Sequence, residues 1–585
     1  MPRSLIASLL TAWALPLRAE FTEERLTREE VTRIVAQAAH EAARIDPSAI
    51  IAITDREGFV LGVWDMRGRL PTPLPAVPAP PLPVTLPADL IQVYGLLLGA
   101  ITRAGTAAFL SSDQQAFTSR TAGYIIQQHF PPGVRHTPPG PLVGVGFSSL
   151  FFSDINRMKQ IANPLNKSQP FDPLDLRKSL AAGNTERIST GVRGNPLLLG
   201  SLNDSPGGVP LYKNGHLVGG IGVTGDGFPT DLAPAAAILL RRVQKDATAG
   251  FVPSTEDDED ERVALAGQTG FRPAHDIVAT NVLINGIRVP YVWQQVGDIQ
   301  DAEHPPPLER LPGRTVDGFP LQDAPARFPY PVIELDGVEG ELRGPVVVDP
   351  VTKETVIDFI DDPLAHTPGR QMIGRARRLS AQEVKSIVTK AAHRASITRA
   401  GIRLPLGTSA KVFIAVVNAP HKNEEPPAVL GTFRVGEATI FSWDVAVQKA
   451  RTALFFSHKQ LALSTRAVGF LAQHHYPPGL DGRPFGPLFG FQEAVTLKRH
   501  ASSGSFPGNR NLPNGLTIFP GGFPLYRNGE LVGAIGISGD GVDQDDIIGA
   551  SGCADFLPPA RIRADNYTYR GARLPYVKFP RDPVR

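Results

Sequence analysis

Two pairs of histidines occupy matched positions in two similar parts of this chain, and imidazole is the commonest metal-binding side chain in proteins. His129 and His475 each come directly before a Pro-Pro-Gly segment. His40 and His393 lie near the ends of two similar amphipathic segments. An imidazole nitrogen can bind a metal ion, including the metal of a bound cofactor, so all four histidines are candidate cofactor ligands.

Each histidine pair also has a structural interpretation. His129 and His475 are expected to end a helix, where an imidazole can satisfy a terminal carbonyl and a positive charge is favoured. His40 and His393 fall opposite the apolar stripe of their predicted helix, so they are expected to face away from the core. They could bind a ligand only where another module covers that face.

Matched arginines and tyrosines could complete a binding site. Arg120 and Arg466 lie about one turn into a predicted helix, and a guanidinium can hold a propionate or a small carboxylate through two hydrogen bonds. An ion pair within the module is the alternative. Tyr212 and Tyr526 precede an Asn-Gly turn and could line a flat aromatic pocket, with sheet packing as the alternative.

Four carboxylates are candidate metal ligands. Asp258 and Glu261 correspond to Asp543 and Asp546, and a spacing of three residues places each pair on one helical face. Such a pair could bind a hard cation or iron. The alternative is that acidic residues at a helix start complement the helix dipole.

Familiar catalytic motifs do not explain the chain. Residues 220–225 satisfy Gly-x-Gly-x-x-Gly, but they lie on a predicted strand, whereas a dinucleotide site requires a helix to begin there. The sequence has no Ser-His-Asp order, no His-Glu-x-x-His motif and no P-loop. Hydrolase and kinase functions therefore lack support, and no set of residues demands an enzymatic role.

The candidate residues are matched because the chain repeats itself. Residues 207–227 and 521–541 are identical at 15 of 21 positions. Residues 101–133 and 447–479 are identical at 14 of 33 positions. A residue type present in both copies is a better candidate for a role in the module, although shared core packing would also explain it.

The repeat predicts two modules joined by a connector. Copy one spans residues 21–295, with inserts at 71–87 (rich in proline) and 148–205. Copy two spans residues 376–585. Between them, residues 296–375 form a connector rich in proline and aspartate, with one strand-like run from Pro345 to Val348.

Local patterns predict the elements of each module. Apolar residues recur at helical spacing over residues 31–42, and Thr27 with Glu30 forms a capping box at the start of this helix. Asn214-Gly215 and Asn528-Gly529 each stand between two strand-like runs, which is the strongest short signal for a hairpin. The predicted fold class is α/β, with two copies of an α/β sandwich in which helices flank a largely antiparallel sheet.

These motifs resemble the GlcG/HbpS-type haem-binding family. The resemblance rests on the helix start FSWDVAVQKARTA (441–453) and on the glycine-rich Pro-Leu-Tyr-x-Asn-Gly hairpin present in both copies. It implies a compact α/β sandwich, often oligomeric, that binds haem or a related tetrapyrrole, sometimes iron, and is frequently exported. Copy two keeps the family's Asp444 and Lys449, whereas copy one has Leu98 and Arg103.

Composition and the amino terminus indicate an exported globular protein. Residues 1–20 resemble a signal peptide, because Arg3 precedes an apolar run and Ala19 offers a small residue for cleavage. No stretch is apolar over the ~18 residues that a membrane helix needs. The net charge of +2 gives no reason to expect nucleic acid, and the single cysteine, Cys553, excludes an internal disulfide.

The leading hypothesis is an exported tandem haem-binding protein, periplasmic or secreted, whose two modules pack as a pseudo-dimer and could assemble further into a homo-oligomer. Two alternatives stay open. One is a module that binds or senses small carboxylates through Arg120 and Arg466. The other is a structural exported oligomer without a ligand.

Overall fold

The computed structural model describes most of both repeats. The described residues are 24–72, 88–126, 205–225, 258–293 (except 285), 302–324, 330–348, 355–401, 407–421, 427–491 (except 481) and 515–578, with isolated residues between these ranges. The predicted signal peptide, nearly all of both predicted inserts and His129 lie outside them.

The first half, defined as the described residues up to Ala324, consists of helices and one antiparallel sheet. Its elements are α1 (Arg28–Ile45), β1 (Ile50–Asp55), β2 (Val60–Asp65), α2 (Ala88–Leu110), α3 (Ser119–Ile125), β3 (Gly208–Lys213), β4 (His216–Thr224), α4 (Glu259–Gly267), β5 (Leu283–Ile284), β6 (Ile287–Arg288) and β7 (Arg314–Thr315). The sheet has the strand order β3-β4-β1-β2-β7, and every pairing in it is antiparallel.

The second half, from Tyr330 onward, follows the same plan. Its elements are β8 (Val332–Leu335), β9 (Val338–Gly344), β10 (Val346–Val348), β11 (Thr355–Ile357), β12 (Met372–Ile373), β13 (Ala376–Arg377), α5 (Ala381–Ile397), β14 (Phe413–Asn418), β15 (Val429–Val435), α6 (Phe441–Phe455), α7 (Thr465–Leu471), β16 (Gly522–Arg527), β17 (Glu530–Ser538), α8 (Val542–Gly552), β18 (Thr568–Tyr569) and β19 (Ala572–Arg573). The main sheet runs β16-β17-β14-β15-β9-β8, so its first four strands repeat the order seen in the first half. The predicted α/β class with antiparallel sheets is confirmed.

Short 3₁₀ helices and two-stranded ribbons complete the described part of the chain. The 3₁₀ helices are His275–Ile277, Ala279–Asn281, Leu308–Arg310, Pro363–His366, Ala554–Phe556, Ala560–Ile562 and Ala564–Asn566. The ribbons are β5–β6, β10–β11, β12–β13 and β18–β19. Among the residues described, no helix is both long and apolar enough to cross a membrane.

Local sequence fixes the helix starts and the hairpin turns as predicted. Thr27 accepts a hydrogen bond from the amide of Glu30, whose carboxylate accepts one from the amide of Thr27, so the capping box is confirmed. Both Asn-Gly turns are also confirmed, because Asn214 and Gly215 have φ values of 51° and 84°, and Asn528 and Gly529 have 52° and 78°. This left-handed geometry matches the twist of the flanking strands.

The glycines of the Gly-x-Gly-x-x-Gly segment serve helix–sheet packing. A Cβ on Gly222 of β4 would lie 2.1 Å from the backbone oxygen of Ala100 in α2. The matched Gly536 of β17 faces the Ala446 oxygen of α6, where a Cβ would lie only 2.0 Å away. Glycine therefore lets each helix approach its sheet closely, and the motif itself lies on strand β4 rather than at the start of a helix.

The connector supplies strands to both sheets. Arg314 and Thr315 of β7 pair with β2 in the first sheet. Strand β9 pairs with β15, and β8 pairs with β9, in the second. The strand-like run predicted at Pro345 to Val348 is confirmed as β10, which pairs with β11. The connector is therefore an integral part of the fold.

Candidate functional site

The matched arginines and the candidate metal ligands contact one another. Arg120 Nε lies 2.8 Å from Glu261 Oε1, and both side chains are buried. Arg466 Nε lies 2.7 Å from Asp546 Oδ2, and its Nη2 lies 2.8 Å from Asp543 Oδ1. Burial raises the pKa of Glu261 and of Asp546, and the facing guanidinium opposes this shift in each case.

These contacts correspond to the ion-pair alternative. A small carboxylate or a propionate would have to displace Glu261 to reach the buried Arg120, whereas Arg466 is 19% exposed and already contacts two carboxylates. Asp258 is the N-cap of α4 and accepts a hydrogen bond from the amide of Glu261, which matches the helix-start alternative. Within the described ranges, no group of three or more His, Cys, Asp or Glu residues is arranged to hold a metal ion.

A second pair of buried ion pairs was not predicted from the sequence. Lys449 Nζ lies 2.7 Å from Asp545 Oδ2 and 2.7 Å from the Ile537 oxygen. At the matched position, Arg103 contacts Asp260 and the Val223 oxygen. Burial lowers the pKa of Lys449, and burial raises the pKa of Asp545 to about 6 despite the facing lysine.

The matched tyrosines brace short turns. Tyr212 Oη lies 2.8 Å from the Ser112 oxygen and 2.8 Å from the Gln115 oxygen. Tyr526 Oη donates in the same way to the His458 oxygen at 2.9 Å. Both rings are buried in the core, which raises the pKa of each hydroxyl. This placement corresponds to the packing alternative.

The helix histidines differ in exposure. His393 on α5 is 53% exposed, and its Nδ1 lies 3.0 Å from Asp336 Oδ2 in the turn between β8 and β9. His40 is half-buried on α1.

His475 does not end a helix, contrary to the sequence prediction. Helix α7 ends at Leu471, with Ala472 as its C-cap, so His475 lies in the irregular segment beyond it. Pro477 cannot donate an amide hydrogen bond and disfavours helical backbone at Tyr476, which bars a helix from running into the Pro-Pro-Gly segment but does not account for its end at Leu471. The helix therefore stops before the Pro-Pro-Gly segment.

Beyond α7, the chain folds back and holds two imidazoles in one hydrogen-bonded chain. His475 Nδ1 lies 3.1 Å from the Arg483 oxygen, and His475 Nε2 lies 3.1 Å from His474 Nδ1. Backbone hydrogen bonds from Tyr476 to Pro484 and from Gly486 to Gln473 fix this segment at 3.0 and 2.9 Å. The imidazoles therefore lie on a loop held by backbone hydrogen bonds rather than at a helix end.

Two phenylalanines enclose the first imidazole. The ring centroid of His474 lies 4.8 Å from that of Phe485 and 5.2 Å from that of Phe489. Phe485 and Phe489 stack on each other at 4.5 Å with an interplanar angle of 16°. Phe485 is 45% exposed, so the cluster opens to the surface. We call His474, His475, Phe485 and Phe489 the histidine–phenylalanine patch.

Sequence reasoning missed three members of this patch, although a signal was present. Copy two reads HHYPPG where copy one reads QHFPPG, and phenylalanines recur at 485 and 489. These residues occur in copy two alone, so the repeat does not mark them.

Another buried cluster joins the two halves. Arg343 on β9 contacts Glu57, in the turn between β1 and β2, at 2.8 Å and Glu341 at 2.5 Å. Its guanidinium carbon lies 3.9 Å from the ring centroid of Tyr330. A continuous apolar cluster also includes residues of both halves, such as Phe109 and Trp443.

Comparison with known proteins gives one family match and several similar structures. A family model described as haem degrading protein HbpS-like matches residues 387–554, which is less than a third of the chain. No curated protein matches significantly. A PduOC–heme complex is 24% identical over 30% of this chain and 94% of that chain, with a TM-score of 0.20. The Klebsiella pneumoniae protein ORFY is 19% identical (31% and 95% covered, TM-score 0.20), and HbpS is 19% identical (31% and 93% covered, TM-score 0.20).

Proposed function

We propose that this chain binds haem or a related tetrapyrrole at the histidine–phenylalanine patch. The family model that matches residues 387–554 describes haem-degrading HbpS-like proteins, and the whole patch lies inside that range. The observation that carries the proposal is the pairing of two hydrogen-bonded imidazoles with two stacked phenyl rings at the surface.

The chemistry of the patch fits such a ligand. Histidine is a common ligand of haem iron, and the flat ring of haem packs on apolar surface such as that of the two phenylalanines. Propionates need cations, and Arg570 donates to the Phe485 oxygen at 3.0 Å, so a guanidinium lies beside the patch. Bound haem would supply a redox-active iron; the proposal is confined to binding.

Titration of the full chain with hemin tests the proposal. We expect a shifted and saturable Soret band for the natural protein and its loss in a His474→Ala/His475→Ala double variant. His366→Ala is the matched control, because His366 is 73% exposed and lies outside the family match. An unshifted Soret band with the natural protein would overturn the proposal.

We also propose that the two halves pack as a pseudo-dimer produced by duplication. Its support is the repeated strand order, the 15 identities in 21 residues of the hairpin block and the shared apolar cluster. Sedimentation analysis would distinguish a monomeric chain from a further homo-oligomer.

Export to the periplasm or exterior is a proposal that rests on residues 1–20 alone. Mass spectrometry of the mature amino terminus checks it. An intact Met1 on the mature protein would contradict it.

A further inference from the structure

We infer that Arg570 binds a carboxylate of the ligand, so that the histidine–phenylalanine patch selects a tetrapyrrole with free carboxylates. This inference rests on the proposed function. It goes further by naming the chemical class of the ligand and the residue that determines the selection.

Arg570 occupies a backbone conformation that arginine disfavours. It precedes Gly571 in the turn between β18 and β19, and its φ is 46°. In the described part of the chain, the other residues with positive φ that are not glycine are Asn214, Asp336 and Asn528. Asparagine and aspartate tolerate this left-handed geometry because their short polar side chains form local hydrogen bonds. Residues held in a disfavoured conformation cluster at ligand sites, which makes Arg570 a candidate.

The first half has the favoured residue in the same turn. When the closing segments of the two halves are aligned without gaps, Asn285 lies opposite Arg570 and Gly286 lies opposite Gly571. The two glycines have φ values of 78° and 79°, so this position of the turn has the same geometry in both halves. Arginine in this turn is therefore particular to the half that carries the patch.

Two contacts hold the Arg570 guanidinium beside the patch. Its Nη1 donates to the Phe485 backbone oxygen at 3.0 Å, and its guanidinium carbon lies 5.1 Å from the ring centroid of Tyr569. The ring centroid of Tyr569 lies 5.3 Å from that of Tyr476, which follows His475 in the chain. These contacts fix the cation at the edge of the apolar surface.

The guanidinium keeps N–H donors for a ligand. A guanidinium carries several donors, and the contact with Phe485 uses one of them. Arg570 is exposed, and among the described residues no carboxylate forms an ion pair with it. A planar guanidinium binds a carboxylate through two parallel hydrogen bonds, which the negative charge strengthens, and an ester lacks that charge. The patch should therefore prefer a ligand whose carboxylates are free.

Titration of the full chain with hemin and with hemin dimethyl ester, in the same detergent solution, tests the inference. The two ligands share the iron and the ring, and only hemin has free carboxylates. We expect the natural protein to bind hemin about 10-fold more tightly than the ester, because Arg570 forms charge-assisted hydrogen bonds with hemin alone.

Three variants assign the preference to Arg570. Arg570→Asn places the residue of the first half in the turn; asparagine suits this backbone, so the variant should fold, and it should bind both ligands equally. Arg570→Lys keeps the charge and should retain part of the preference. Arg573→Asn is the matched control, because it removes a positive charge from the same ribbon, where Arg573 is 70% exposed and donates to the Asp565 backbone oxygen. The control should keep the natural preference.

The ratio of the two affinities separates carboxylate binding from a purely structural role. If Arg570 only held the loop that carries Phe485, Arg570→Asn would weaken both ligands by the same factor and leave their ratio unchanged, which would overturn the inference. Equal binding of both ligands by the natural protein would also overturn it, while the proposed function stands. Absence of binding of either ligand by the natural protein would instead remove the proposed function itself.

Discussion

At the scale of single residues, both halves keep a buried cation on a matched helix position although the residue type differs. Arg103 contacts a carboxylate on α4 and Lys449 contacts one on α8, and each also contacts a carbonyl oxygen of the neighbouring strand. Both side chains reach the same two acceptors, so the exchange of arginine for lysine preserves the interaction. The departure from the family pattern at Arg103 therefore leaves this contact the same in both halves. The two halves still differ in sequence at Leu98 and Asp444.

The pKa of Asp545 makes stability depend on pH in a specific direction. Burial raises the folded-state pKa to about 6 from an ordinary value of 3.8, so between these pH values the folded chain binds more protons than the unfolded chain. The contribution of this group to stability is present at low pH and is lost as pH rises through about 6.

Comparison with Asp545→Asn isolates this contribution. When the pH falls from 7 to 5, we expect the free energy of unfolding of the natural protein to rise by about 1 kcal/mol relative to that of the variant. Urea unfolding of both proteins at the two pH values measures the difference. If the difference in the free energy of unfolding between the two proteins were the same at both pH values, Asp545 would have an ordinary pKa in the folded protein.

At the scale of elements, sequence patterns predict what depends on near neighbours. The capping box of Thr27 and the turns at Asn214-Gly215 and Asn528-Gly529 involve residues at most three apart, so their geometry follows from local chemistry. The pair of Arg120 with Glu261 joins residues 141 positions apart. Periodicity gives the face of a helix but not its partner, so these two residues were predicted as separate sites.

The same limit applies to the candidate site. The position of His475 was predicted, but its place on a loop depends on how residues 476–486 fold back onto α7. No periodic signal reports such a loop. The aromatic residues that complete the patch follow His475 by ten or more positions, and only the folded loop brings them to the imidazoles.

Close packing of α6 on β17 predicts a severe effect from one added methyl group. A Cβ at Gly536 would lie 2.0 Å from the Ala446 backbone oxygen, so we expect Gly536→Ala to destabilise the protein by about 3 kcal/mol. Denaturant unfolding measures this cost. Ala446→Gly should not rescue the variant, because the contact is with backbone; a stable Gly536→Ala protein would show that the helix can move away.

At the scale of the whole molecule, charged residues couple the two halves. Glu57 from the first half and Glu341 from the second both face the buried Arg343. Arg434 Nη1 lies 3.1 Å from Glu341 Oε2, so two cations and two anions balance one another where the two halves meet. Removing one carboxylate leaves an excess positive charge in a buried region.

We therefore expect Glu57→Gln to weaken the interaction between the two halves by about 1–3 kcal/mol. Calorimetry should show the unfolding transitions of the two halves moving apart. Glu339→Gln, on the exposed side of the same strand β9, is the matched control and should leave the natural profile unchanged. An unaltered profile in Glu57→Gln would indicate that apolar contacts alone couple the halves.

The strands contributed by the connector determine where the chain can be divided. A fragment that starts at the repeat boundary, residue 376, would lack β8 and β9. The largely buried β15 would stay paired with β14, but its other edge would lose its partner and become the open edge of the sheet. An open apolar edge of that kind recruits neighbouring molecules, so such a fragment should precipitate. Division between Ala324 and Tyr330 would instead leave each piece with the strand that covers the edge of its sheet, so we expect these pieces to precipitate less readily than the fragment that starts at residue 376.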